Sequence, residues 1–195
     1  MIIIDFGPHR TGTTSRQYYF KNHPQVNLIC KFDLRKQLSN TKTNIISDES
    51  LAQSLDTFIY PIAIDRVSKM FPNATALFVD RDIKSWKISM YKHYSMKGGK
   101  LSFQEWIDKC KPNFNTFKNK LNEYFKEVIV LDFEDFKENP VMFLKRLSKI
   151  LDIDYIQMEI PNLNKSMNKR KINFLKLYNN YFPFQNVPRE LLKRI

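Results

Sequence analysis

The chain begins with a short apolar run, Ile2 to Phe6, that leads directly into the segment Gly-Pro-His-Arg-Thr-Gly-Thr-Thr-Ser at positions 7–15. Residues 13–22 then have a helical pattern, which His23 and Pro24 end. A strand, a glycine-containing loop and a helix in this order place a concave set of backbone N–H groups at a helix N-terminus, where anions bind. The segment therefore predicts a phosphate site.

This loop differs at one position from the nucleotide-binding pattern Gly-x-x-x-x-Gly-Lys-[Ser/Thr]. Gly7, Gly12 and Thr14 match the pattern, but Thr13 occupies the lysine position. An NTPase needs that lysine on the outer phosphates of its nucleotide. Here Arg10 supplies a cation from inside the loop instead, so the pattern leaves open which phosphate is bound.

Two further apolar runs, 74–79 and 128–131, predict buried strands. Asp80 and Asp132 follow them; either could hold Mg²⁺ in an NTPase, although ending a strand is the simpler role. Helical patterns cover segments 48–55, 61–71, 83–94, 103–109, 114–125 and 140–151. Strands that alternate with helices predict an α/β fold, in which a central parallel sheet lies between two helical layers. A length of 195 residues predicts one domain, 1–195.

The composition is strongly basic, with 32 Lys and Arg against 20 Asp and Glu and a net charge of +12. Such a charge attracts polyanions, although for most individual lysines solubility is the simpler explanation. Cys30 and Cys110 lack metal-like spacing and the three histidines form no pair, so we expect no metal and a reducing, cytoplasmic location. No segment reaches the roughly 20 apolar residues of a membrane span.

The loop, together with Tyr18-Tyr19-Phe20 and the His-Pro that ends the helix, resembles the phosphosulfate-binding loop of sulfotransferases that use 3′-phosphoadenosine 5′-phosphosulfate (PAPS). That family carries a basic residue before Thr-Gly-Thr-Thr, as Arg10 does. The resemblance implies the P-loop NTPase-like sulfotransferase fold, PAPS as co-substrate, 3′,5′-diphosphoadenosine as product and no metal. The implied loop contacts to the co-substrate come from Arg10, Thr11, Gly12, Thr13, Thr14 and Ser15.

Residues 77–91 are similar to the second signature of the same family, in which an arginine after a strand and a serine eight positions later bind the 3′-phosphate. The resemblance assigns these roles to Arg81 and Ser89. A guanidinium can fork onto a phosphate and a hydroxyl can donate to it. Ile83 stands where the family usually has proline, a residue that preorganises a helix start but contacts no ligand.

Two weaker similarities follow in the same order. Residues 128–140 resemble the strand and turn that precede a structural helix of the family. Residues 164–170 resemble the C-terminal loop that closes over the adenosine phosphates, which implies co-substrate contacts from Lys165, Ser166 and Arg170. A solvated basic loop is the alternative interpretation of that segment.

Sulfuryl transfer needs positive charge on the sulfonate oxygens and a base for the acceptor proton. Arg10 is the candidate for the charge, since its pKa is too high for proton transfer. Residues 45–51 resemble a Ser-x-Glu-x-Leu segment of related sulfotransferases, which makes Glu49 the candidate base, with Asp48 and His93 as substitutes. A helix capped by Ser47 or Asp48, with Glu49 in its first turn, also explains the segment.

The expected function is therefore transfer of a sulfuryl group from PAPS to a hydroxyl or amine of a small-molecule or saccharide acceptor. Two alternatives are a P-loop kinase or NTPase with a shifted cation, and a non-enzymatic polyanion-binding module. The module is suggested by the positive charge and the aromatic-rich tail, 174–184, which more simply packs on the core. We expect no specific nucleic-acid partner. Acceptor identity and oligomeric state are not encoded in any motif.

Overall fold

The computed structural model describes residues 1–30, 38–52, 60–160, 174–175 and 178–179. The chain divides into two compact units. The first comprises Met1–Gln53, Ile59–Arg81 and Asn113–Leu163, and the second comprises Ser54–Phe58, Asp82–Pro112 and Asn164–Ile195. The interpretation of 1–195 as a single domain stays a prediction.

The first unit contains a sheet of five strands in the order β2-β3-β1-β4-β5, and every neighbouring pair is parallel. The strands are β1 (Ile2–Asp5), β2 (Val26–Cys30), β3 (Thr43–Ser47), β4 (Thr75–Asp80) and β5 (Val128–Asp132). Asp5 lies opposite Ser47 of β3 and Leu77 of β4. The strand that feeds the glycine-containing loop is therefore central in the sheet, where ligand sites of parallel sheets form at the carboxyl ends of strands.

Seven helices and one 3₁₀ turn occupy the described residues up to 160, and residues 174–175 and 178–179 are also helical. The helices are α1 (Thr13–Lys21), α2 (Tyr60–Met70), α3 (Ile83–Met96), α4 (Phe103–Cys110), α5 (Phe114–Tyr124), α6 (Phe133–Glu138) and α7 (Pro140–Ile150), and the turn is Glu49–Leu51. Polar caps decide several starts: Ser102 and Glu105 form a capping box before α4, and Asn113 and Asn139 cap α5 and α7.

Side chains of the strands alternate between two packed faces. Ile3 and Leu77 belong to one core cluster with Tyr19 and Phe20 of α1 and Leu147 of α7. On the other face, Phe6 and Phe78 meet Phe117 of α5, with ring centroids 6.1 and 5.1 Å apart. Helices thus cover both sides of the sheet, and the predicted three-layer α/β/α architecture with a parallel sheet is confirmed.

The strand count was underestimated, because the sequence predicts three strands and the described part of the chain contains five. The polar residues Asn27 and Asn44 interrupt the apolar pattern of β2 and β3. In the sheet, Asn27 Nδ2 donates to Asn44 Oδ1 at 2.8 Å, and Asn44 also accepts from the backbone N–H of Ser39 at 2.7 Å. These side-chain bonds satisfy the polar groups of the two strands. The sequence does not show this pairing, because the bonded residues lie on different strands.

The segment predicted as a helix at 48–55 is a single 3₁₀ turn, Glu49–Leu51, as far as the structure describes it, and residues 53–55 lie outside the described residues. Asp48 caps this turn, since its carboxylate accepts from the backbone N–H of Ser50 at 2.9 Å. The capping role predicted for Asp48 is therefore confirmed, with Glu49 at the start of the turn, and the role of Glu49 as the base stays a prediction.

In the second unit, α3 and α4 pack through aromatic side chains. Trp86 and Trp106 are fully buried, and their ring centroids are 6.2 Å apart. The hydroxyl of Tyr94 accepts from the backbone N–H groups of Lys100 and Leu101, which ties the connection between the two helices to α3. None of the helices in the described ranges is long and apolar enough to cross a membrane.

Candidate anion-binding site

The loop after β1 is curled by two residues in the left-handed region. Arg10 has φ 69° and Gly12 has φ 78°. For arginine this conformation costs on the order of 1–2 kcal/mol, and such strain collects at binding sites. Gly12 is also the N-cap of α1 and brings no side chain to accept from the first turn. The first N–H groups of α1 are thus left for an external anion.

A buried ion pair lies beneath the loop. Arg16 of α1 and Asp5 at the end of β1 are 1% and 0% exposed, and Arg16 Nη2 lies 2.9 Å from Asp5 Oδ1 and 3.2 Å from Asp5 Oδ2. Arg16 Nη1 also donates to the carbonyl oxygen of Thr11 at 2.6 Å. The pair therefore joins the strand before the loop to the helix after it.

Asp5 also orders two neighbouring backbone segments. Its carboxylate accepts from the backbone N–H of Gly7 and from the hydroxyl of Ser47, each at 3.0 Å. Any side chain at position 7 would clash, because an added Cβ would lie 2.4 Å from Arg16 Nη2. The same buried carboxylate thus positions both the start of the loop and the end of β3, two residues before Glu49.

Glu49, the predicted base, reaches the loop from the 3₁₀ turn. Its Oε2 atom lies 2.5 Å from His9 Nδ1. Burial lowers the pKa of the Arg10 guanidinium, and the charge of Glu49 opposes this by raising it. Arginine stays protonated at neutral pH. The Arg10 cation therefore lies near the carboxylate of Glu49, which also contacts His9.

Arg81 reaches the same loop from the end of β4. Its Nη1 atom donates to the carbonyl oxygen of Arg10 at 2.5 Å, and its Cζ atom lies 4.4 Å from the centroid of the Phe133 ring. A guanidinium that stacks on an aromatic ring and bonds to a backbone oxygen is held in one orientation. The structure thereby brings Arg10 and Arg81, both predicted from the sequence, into direct contact.

The predicted hydroxyl ligands of the loop divide into two groups. Thr11 and Thr13 are buried, and their hydroxyls bond within the loop: Thr11 Oγ1 donates to the carbonyl oxygen of Pro8 at 2.7 Å, and Thr13 Oγ1 lies 3.4 Å from Arg16 Nη2. Thr14 is exposed and Ser15 is half-buried in the first turn of α1. The two later hydroxyls are therefore better placed to meet a ligand than the two earlier ones.

Both acids considered as Mg²⁺ ligands have protein partners. Lys118 Nζ of α5 lies 2.5 Å from Asp80 Oδ2. Asp132 caps α6 by accepting from the backbone N–H of Glu134 at 2.8 Å. Over the described ranges, no group of three or more His, Cys, Asp or Glu side chains is arranged to hold a metal ion. The expectation that no metal takes part stays a prediction.

The remaining predicted contacts lie elsewhere in the chain. Ser89 is half-buried on α3 in the second unit, and His93 is on the same helix. Lys165, Ser166 and Arg170 lie outside the described residues. Their roles stay predictions.

Two sequence comparisons give no match, since no protein-family model and no curated protein sequence matches this chain. Solved structures do match. A sulfotransferase from Alicyclobacillus acidocaldarius aligns with a TM-score of 0.61 at 15% identity over 91% of each chain. Mouse sulfotransferase SULT7A1, solved in complex with PAP, aligns with a TM-score of 0.52 at 14% identity over 80% of this chain and 59% of the mouse chain.

The chain has the sulfotransferase fold. The fold class implied by the loop resemblance is thus confirmed, at an identity too low for sequence matching to detect. The structure brings the predicted residues Arg10, Glu49 and Arg81 to the loop after β1, where their roles stay predictions. Sequence reasoning missed Arg16, which bonds to this loop, and Phe133, which stacks on Arg81. Both are common residue types in helices, and only an aspartate ending β1 hinted at a buried cation.

The buried pair beneath the loop generates a stability prediction. Arg16→Met should lower the free energy of unfolding by roughly 3–5 kcal/mol, because the buried carboxyl of Asp5 would lose its partner. Lys69→Met is the matched control: it also removes one cation, but Lys69 is 74% exposed in its pair with Asp65, so stability should hardly change. Urea unfolding followed by circular dichroism measures both. Equal stability of the two variants would contradict the role given to Arg16.

Proposed function

We propose that this protein is a PAPS-dependent sulfotransferase that transfers a sulfuryl group to the hydroxyl or amine of an acceptor. The observation that carries the proposal is the bond from Arg81 to the backbone of Arg10. It joins the loop that would bind the 5′-phosphosulfate to the arginine that would read the 3′-phosphate, the group that distinguishes PAPS from ATP. The sulfotransferase fold supports the same assignment.

The loop residues would bind and orient the co-substrate. PAPS would supply the sulfuryl group and leave as 3′,5′-diphosphoadenosine. Backbone N–H groups of the curled loop and the first turn of α1, with the hydroxyls of Thr14 and Ser15, would contact the 5′-phosphate. The Arg10 guanidinium would stabilise the negative charge that grows on the leaving phosphate oxygen. Arg81 would hold the 3′-phosphate through a charge-assisted bond.

Glu49 would act as the general base. Its carboxylate would accept the proton of the acceptor hydroxyl or amine as the oxygen or nitrogen attacks sulfur. The contact with His9 Nδ1 at 2.5 Å supports this assignment, because it holds the carboxylate against the loop where the sulfuryl group would lie. Asp48 is a weaker candidate, since its carboxylate already accepts from both the backbone N–H and the hydroxyl of Ser50.

The two alternative functions have less support. A kinase or NTPase would need a loop lysine and an acid on Mg²⁺. Thr13 is buried in the lysine position, Asp80 is paired with Lys118 and Asp132 caps a helix. A polyanion-binding module would present the aromatic tail to its ligand, but Phe174 and Tyr178, the described aromatics of that tail, are half-buried and contact each other, with ring centroids 6.2 Å apart.

The acceptor class is the least constrained part of the proposal. The net charge of +12 favours an anionic or other saccharide, while small alcohols, lipids, phenols and tyrosyl peptides are further candidates. The cytoplasmic location stays a prediction from the sequence.

A ligand panel tests the proposed co-substrate. We expect 3′,5′-diphosphoadenosine to raise the melting temperature more than AMP or ATP, with no added effect of Mg²⁺, because arginines and backbone N–H groups neutralise its phosphates. Thermal shift measurements with each nucleotide, with and without Mg²⁺, check this. A larger shift with Mg-ATP would indicate an NTPase. Tighter binding of single-stranded DNA, with a steep salt dependence, would indicate the polyanion-binding module.

Arg81→Ala tests the reading of the 3′-phosphate. The variant should reduce the preference for 3′,5′-diphosphoadenosine over AMP by roughly tenfold to a hundredfold, since a charge-assisted bond to one phosphate is lost. Calorimetric titration of both nucleotides gives the ratio of dissociation constants. Arg146→Ala is the matched control, because Arg146 is 62% exposed in a surface pair with Asp135. Equal losses for both nucleotides would show that Arg81 does not contact the 3′-phosphate.

Glu49→Gln separates chemistry from binding. Transfer should fall by roughly 10²–10⁴-fold, the usual contribution of a general base. Binding of 3′,5′-diphosphoadenosine should be kept or become tighter, because a negative charge near Arg10 is removed. Transfer from radiolabelled PAPS to a panel of alcohols, phenols, amines and saccharides measures the first effect and calorimetry the second. Asp48→Asn is the neighbouring control, and full activity of Glu49→Gln would exclude Glu49 as the base.

A further inference from the structure

An aspartate stands directly beside the arginine proposed to read the 3′-phosphate. Asp80 is the last residue of β4, and its Oδ1 atom accepts from the backbone N–H of Arg81 at 2.9 Å. This bond fixes the carboxylate at the point where the chain leaves the sheet toward α3. An anion at this place would repel a phosphate bound at Arg81.

Lys118 occupies the other oxygen of the same carboxylate. Its Nζ atom lies 2.5 Å from Asp80 Oδ2, and the two side chains are 25% and 31% exposed. The helix that carries it is held to the sheet by its neighbour Phe117, which is fully buried and stacks on Phe78 of β4. The lysine is thus delivered to the end of β4 by a helix that packs on β4 itself.

The other two strands that end in aspartate at this edge also have a partner for the carboxylate within the protein. Asp5 is neutralised by Arg16, and Asp132 accepts a hydrogen bond from the backbone N–H of Glu134 at the start of α6. Asp80 differs from these two because its partner is partly exposed and could be removed without opening the core. It also differs because its carboxylate bonds to the backbone of Arg81.

We propose that Lys118 is a specificity-determining residue, which neutralises Asp80 and so removes a negative charge that would repel the 3′-phosphate of the nucleotide. This inference rests on the proposed function and deepens it: Lys118 positions charge through Asp80 and does not itself touch the nucleotide. The preference for a 3′-phosphate then depends on a residue of α5, far in sequence from either signature of the family.

The experiment measures the ratio of the dissociation constants of AMP and 3′,5′-diphosphoadenosine by calorimetry. Lys118→Met should lower this ratio about threefold to tenfold, the effect of one uncompensated charge at a partly exposed site. Asp80→Asn in the Lys118→Met background should restore the ratio, because the amide keeps an oxygen for the Arg81 N–H but carries no charge. A lost fold or a general packing defect would not be rescued in this way.

Lys120→Met is the matched control. It removes the same charge from the same helix, where Lys120 pairs with Glu123 at 2.5 Å, and it should leave the ratio unchanged. Asp80→Asn alone gives a second measurement that does not depend on the lysine variant folding, and it should raise the ratio.

The outcomes separate this inference from the proposed function. If the unmodified protein shows no preference for 3′,5′-diphosphoadenosine over AMP, the proposed function fails. If the preference is present but Lys118→Met and Lys120→Met behave alike, or if Asp80→Asn does not rescue the lysine variant, the role of Lys118 is overturned. An unchanged ratio in Asp80→Asn alone would also contradict it.

Discussion

The buried ion pair of Asp5 and Arg16 is the interaction on which the rest of the site depends. A charge taken out of water is costly unless its lone pairs and protons find partners, and here most partners lie in the loop and at the end of β3, while Arg16 Nε has no hydrogen-bond partner among the described residues. Asp5 takes the N–H of Gly7 and the hydroxyl of Ser47, while Arg16 takes the carbonyl of Thr11. The loop therefore cannot change shape without exposing one of these bonds, and an anion meets N–H groups that are already arranged.

Every aspartate that ends a strand at the carboxyl edge of the sheet, in the described residues, has a partner within the protein. Three strands that meet there, β1, β4 and β5, end in aspartate, which would make the edge repel an anion. Each carboxylate is satisfied within the protein, by an arginine, a lysine or a helix N-terminus. Local neutralisation of these acids, rather than the overall charge of +12, is what would let this edge accept a phosphate.

The structure explains why the loop has no lysine at position 13. Position 13 is buried against Arg16, so a lysine there would have to displace an ordered cation. Arg10 carries the charge from a left-handed position in the loop instead, with its carbonyl bonded to Arg81. Under the proposed function, this arrangement would hold an anion at two separated phosphates, the 5′ and 3′ groups of one nucleoside.

The sequence by itself determined the elements whose signals are local: the first strand, loop and helix, the strands β4 and β5, the helices around them, and the candidate cations Arg10 and Arg81. Only the tertiary structure decided the strands β2 and β3, where paired asparagines hide the apolar pattern, and the contacts of Arg16, Phe133 and Lys118. Their partners are 11, 52 and 38 residues away in the chain. The role of a charged or aromatic side chain depends on the residues that pack against it. The periodicity of the sequence does not show which distant residues these are.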